Sequence, residues 1–158
     1  MANAPAPAAI PATNDDLSGT LSWIGAYAKQ NKHRLPAEAY VSILESCQVL
    51  DAVTEAERRE PSGDARLQYE LGALVREYFP AVLRGYLAIP AGMVEVRQSN
   101  GRTANEELVE QLHLLSGQAE ALHSSRHSHM SSQLATTGNF LREKFGHRQQ
   151  GAFDFGVE

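Results

Sequence analysis

Between residues 103 and 145 apolar side chains return every three or four positions: Leu108, Leu112, Leu115, Ala119, Leu122, Met130, Leu134, Leu141 and Phe145. Only a helix repeats its faces at that interval, so this stretch constrains the fold more than any other. Thr103 and Glu106 open it as a capping box, in which each side chain takes the other's amide. Gly146 stands where a helix can end. Unbroken, a helix over 104–145 would be about 60 Å long at 1.5 Å per residue. Five serines and three histidines between 123 and 132 lower helix propensity there, which predicts a bend or break.

Upstream the same periodicity recurs in shorter pieces. Asp15 and Asp16 precede Leu17, Leu21, Ile24 and Ala28, predicting a helix over 16–31. "NKHRLP" interrupts it, and Pro36 suits the first position of a second helix, whose stripe of Tyr40, Ile43, Leu44, Cys47, Leu50 and Val53 runs to about Glu60. "EPSGD" is a turn, with Asp64 as the next cap and Leu67, Leu71, Leu74 and Tyr78 as a third stripe. Pro80 has no amide hydrogen and crowds the preceding turn, so the third helix is expected to end or kink near Tyr78. A fourth helix over about 80–89 would then bury Val82, Leu83, Tyr86 and Leu87 and stop at Pro90. "MVEVR", 93–97, alternates like a strand but has nothing to pair with, so 91–102 reads as a loop. The expected fold is all-α: a four- or five-helix bundle over 15–146 with a long C-terminal helix.

Residues 1–14 are small and rich in proline and alanine, and read as a disordered leader that cannot bury enough surface to fold. They lack the basic start of a secretory signal. Residues 147–158 read as a flexible tail. There Phe153 and Phe155 flank an aspartate and could act as a short docking motif for another protein.

No run of 18 apolar residues is present, so no membrane span is expected. A net charge of -5 without a basic stripe argues against nucleic acid as a partner. The single cysteine, Cys47, excludes an internal disulfide; its place in an apolar stripe predicts a buried thiol and suits a reducing cytoplasm.

The most unusual polar stretch is "HSSRHSHM", 123–130. His123 and His127, four apart, share a helix face in the manner of metal-binding pairs, but no neighbouring acid or cysteine completes a site. His129 faces away from them. Arg126 falls at the centre of the apolar stripe, where an unpaired guanidinium is costly. Either the bundle opens there, or Arg126 meets a carboxylate, or the seam faces a partner or an anion. Together these histidines could also sense pH. No nucleophile elbow, zinc-protease motif or phosphate loop occurs, so neither a catalytic residue nor a cofactor is expected.

"EYFPAVLRGYLAIP", "EELVEQLHLL" and "NFLREKFG" together resemble a group of poorly characterised bacterial helical proteins over residues 35–146. In that group a tyrosine-x-proline segment precedes a "YL-x-x-P" stop, and a long C-terminal helix ends in an "FL-x-x-[RK]-F" box. Related sequences are named for indolyl-phosphate hydrolysis or toxic-anion (tellurite) resistance. The resemblance implies a cytoplasmic, stress-associated helical adaptor; no residue here matches a hydrolytic motif. The leading functional expectation is thus a non-enzymatic interaction or scaffold module, using its long helix for self-association or a protein partner. Alternatives are a sensor of a small ligand, metal or oxyanion at Arg126 and its histidines, or a structural part of a phage or secretion-type machine.

Overall fold

The computed structural model describes the backbone of residues 16–157, with side chains as far as Gly146. The leader over 1–14 and the side chains of the tail, Phe153 and Phe155 included, lie outside those residues. Five α-helical segments are present: α1 (Leu17–Gln30), α2 (Ala37–Arg59), α3 (Ala65–Ala73), α4 (Phe79–Leu87) and α5 (Ala104–Val157). Among the described residues there is no strand, and "MVEVR" begins in a short 3-10 turn. The class is all-α, as the periodicity requires.

The starts follow local chemistry. Asp16 accepts the Gly19 amide at 2.9 Å to cap α1, and Asp64 accepts those of Arg66 and Leu67 to cap α3. Pro36 stands one place earlier than expected: its ψ of 143° is extended, so it caps α2 rather than beginning it. The capping box forms in full. Thr103 Oγ1 accepts the Glu106 amide at 3.1 Å, and the Glu106 carboxylate accepts that of Thr103 at 2.8 Å.

The helix does not end before Pro80; the irregularity expected near Tyr78 takes the form of a π turn. A π turn over Leu74–Tyr78 joins α3 to α4 in one continuous rod, and the Phe79 amide reaches back five residues to the Leu74 carbonyl. A π turn adds one residue to the winding, which relieves the crowding of a proline ring without ending the helix. It also shifts the phase of the stripe. Val75 and Phe79 are fully buried, whereas Tyr78, expected inside, is about half exposed.

The core gathers Ile24, Ile43, Leu50, Leu67, Leu74, Phe79, Leu83, Leu108 and Leu112, contributed by all five segments. Fully burying side chains of this size contributes roughly 1.5–3 kcal/mol each. Trp23 closes one side, stacked on Tyr27 at 4.9 Å with the Arg84 guanidinium 5.1 Å from its ring. A polar corner ties the ends together. Arg34 donates to the carbonyls of Leu87 and Ile89, completing the C-terminus of α4, and the Tyr86 hydroxyl donates to Asn105 at the start of α5. That corner and the contacts of Arg126 orient α5: it runs in the same direction as α2 and opposite to the rod.

The break expected over 123–132 does not occur, and α5 passes through Gly146 without stopping. Serine and histidine lower propensity by only tenths of a kcal/mol per residue, and the contacts described next hold this stretch to the bundle.

Candidate functional site

Arg126 meets a carboxylate. Its Nε donates to Glu57 Oε1 at 2.8 Å, and its Nη2 donates to the backbone carbonyls of Ala56 at 3.1 Å and Glu60 at 2.7 Å. One guanidinium therefore serves two needs. It neutralises an acid that sits unfavourably in the last turn of α2, where the helix dipole is negative, and it adds a second donor to the Ala56 carbonyl, which already accepts the Glu60 amide, and one to the Glu60 carbonyl at the helix end. The two side chains are 16% and 9% exposed, so the pair is largely withdrawn from water.

Glu57 is also the hub for the turn that follows α2. It accepts from the Ser62 amide and from Gln68 Nε2. Burial pushes its carboxyl up, but hydrogen bonds from the Ser62 hydroxyl, Arg126, Gln68 and the Ser62 amide together outweigh that and hold it below the usual carboxylate range. On the next turn of α5, His129 Nε2 lies 3.1 Å from the Ser62 carbonyl and Gln133 Nε2 lies 3.4 Å from the same oxygen. With the Nε2 nitrogen protonated, ring and amide both donate to that carbonyl. Arg126, His129 and Gln133 thus clamp α5 to the turn between α2 and α3.

His123 and His127 are exposed on the far side of this clamp. Among the described residues no three His, Cys, Asp or Glu side chains are grouped to hold a metal ion. His129, expected to face away from the other two, turns toward the bundle. The structure brings Arg126 and His129 into one site and leaves the histidine pair outside it.

Sequence reasoning missed Glu57, Ser62 and Gln133. A usable signal existed for Glu57: an acidic residue in the last turn of a helix opposes the dipole and so calls for a cation from elsewhere. Cys47 is half-buried, and burial followed by the nearby Asp51 charge pushes its thiol up to about 12, which removes it as a nucleophile at neutral pH.

Beyond Gln133 the apolar line of α5 leaves the bundle. Leu134 is 74% exposed, Leu141 45% and Phe145 43%, while Met130 is half-buried at the bundle's edge. Phe140, also exposed, carries the Lys144 ammonium over its ring at 5.6 Å. With Leu114 on the outer face of the bundled part, these are the large apolar groups that the described part of α5 leaves exposed. No helix among the described residues is long and apolar enough to cross a membrane. No family model matches the chain, and neither a curated protein nor a solved structure matches it.

Proposed function

We propose that the chain is a non-enzymatic helical interaction module, whose bundle anchors α5 and whose projecting half of α5 carries the contact surface. The observation that supports this reading is the line of Leu134, Leu141 and Phe145, each more than two-fifths exposed on a stretch of helix left uncovered among the described residues. Such a line on a water-soluble chain marks a surface meant to be covered. The resemblance over residues 35–146 points the same way, to a stress-associated adaptor, and the half-buried, unpaired thiol of Cys47 suits a reducing cytoplasm.

A sensor reading is less well supported, because the Arg126 guanidinium already serves Glu57 and two carbonyls. The test of the main reading is a pull-down from native extract with the full chain and with the double variant Leu134→Glu/Leu141→Glu. Loss of the captured material in the variant, at unchanged helicity, is the expected result; identical capture by both would refute a role for this face.

A further inference from the structure

We propose that the leader, through residues 9–15, lies as an extended strand in a groove between the end of α2 and α3. The groove encloses about 950 Å³; Leu17 stands at one end, Arg58 and Pro61 form one wall, and Ala65, Tyr69 and Gly72 form the other. It continues the track of α1. Short connections reverse the chain between α1 and α2 and again between α2 and α3, so α1 and the rod run in the same direction. Two contacts set their level. The Arg84 guanidinium lies 5.1 Å from the Trp23 ring, and Arg34, just past α1, bonds the carbonyls of Leu87 and Ile89. Leu17, two helical turns before Trp23, therefore lies level with the π turn, and it shares the groove with Glu77 of that turn. The rod begins at Ala65, about twelve residues or 18 Å further back. Over that length the place beside α2 and α3 that α1 fills higher up is left to the groove, and Tyr69 there is 75% exposed.

The chain supplies an occupant at the groove's own end, because the leader joins α1 at Asp16, beside Leu17. From Ala2 to Asn14 it carries no charged side chain, one bulky aliphatic, Ile10, and three prolines, Pro5, Pro7 and Pro11. Pro11 keeps α1 from continuing backwards as a helix and favours the polyproline conformation instead. At about 3.1 Å per residue that conformation carries Ile10 some 19 Å back from Asp16, to the Ala65 end of the groove. Proline-containing strands of this kind dock on exposed aromatic rings, and Tyr69 is such a ring, with the Gln68 amide next to it in the same groove. Charge agrees. Glu57 is already paired with Arg126 and Arg58 with Glu55, so an uncharged strand enters without breaking an ion pair. Alone the leader cannot bury enough surface to fold; here the bundle provides the surface, and the tether at Asp16 presents the strand to it at an effective concentration of about millimolar.

A nitroxide at Ala9→Cys, in the full chain with Cys47→Ala, tests the placement through its broadening of amide resonances. The expected result is loss of the amide signals of Ala65, Gln68 and Tyr69, with those of Leu134 and Leu141 on α5 unaffected. The lost signals should return in Tyr69→Ala and in Ile10→Asp. Tyr69 is largely exposed and Ile10 precedes the bundle, so both variants should fold, and the spread of their amide signals checks this. Broadening spread evenly over the surface or centred elsewhere would overturn the placement, as would broadening that neither variant relieves. A mixture of isotope-labelled chains without the nitroxide and unlabelled chains bearing it separates one copy from two. Broadening of the groove signals in that mixture would mean that copies exchange leaders, and would overturn docking within the chain.

Discussion

Arg126 and Glu57 are 69 residues apart in sequence and joined by a 2.8 Å hydrogen bond that fastens the longest helix to the end of α2. Because both side chains are largely buried, the loss of one partner is felt chiefly through what it leaves behind. Arg126→Ala would remove the only cation bonded to the Glu57 carboxylate among the described residues and the guanidinium bonds to the Glu60 and Ala56 carbonyls, the latter keeping the Glu60 amide. We expect a loss of about 2–4 kcal/mol in urea unfolding. Glu57→Gln keeps a hydrogen-bond acceptor and should cost less, about 1 kcal/mol. A loss for Arg126→Ala within about 0.5 kcal/mol would show that the clamp is decorative.

The same pair sets a pH dependence. The folded-state pKa of Glu57 lies below its unfolded value, so its contribution to stability is complete above the unfolded pKa and fades as pH falls through the folded one. Unfolding free energy of the wild type should therefore drop on acidification from near neutrality to below pH ~4. Glu57→Gln should flatten part of that slope. Parallel curves for the two proteins would assign the acid sensitivity to other carboxylates.

Cys47 offers a test of burial. With its thiol pushed up to about 12, the thiolate fraction at mildly alkaline pH is roughly a thousandfold below that of an ordinary cysteine. Native protein should react negligibly with a thiol-specific dye, and unfolding in urea should release one equivalent. Prompt reaction of the folded chain would place Cys47 outside the packed interior.

The corner built from Arg34, Tyr86 and Asn105 should be energetically coupled. Tyr86→Phe removes the hydroxyl bond to Asn105, and Arg34→Ala removes the bonds to Leu87 and Ile89; each is expected to cost about 1 kcal/mol. The double variant should lose less or more than the sum, because the Tyr86 hydroxyl also lies 3.2 Å from the Arg34 carbonyl. Strict additivity would separate the two contacts.

The parts of this fold that could be read in advance are those set by local chemistry. Asp16, Asp64 and the Thr103–Glu106 box cap helices through bonds spanning two or three residues, and those spacings are visible in the chain itself. The stripes through Ile24, Ile43, Leu71 and Leu108 repeat at the helical interval and were buried accordingly. What could not be read depends on winding and on distant partners. Pro80 signals a stop in isolation, and a single π turn converts the stop into a passage while exchanging Tyr78 for Phe79 in the core. Arg126 stands out as misplaced in an apolar stripe, but its partner Glu57 is 69 residues away in the chain, beyond the reach of any local pattern, and 2.8 Å away in space. The serines and histidines over 123–132 suggested weakness, because propensity counts each residue alone and takes no account of the Ser62 carbonyl waiting opposite His129.

The overhang of α5 has a mechanical meaning. Phe145 stands about 18 Å past Gln133, the last residue of α5 that hydrogen-bonds to the bundle among the described residues. Force applied out there acts through a long arm, and its torque falls first on the guanidinium latch and the Ser62 turn. Whether that latch holds or slips decides if the projecting rod transmits motion to the bundle as one stiff body or swings upon it as a hinged boom.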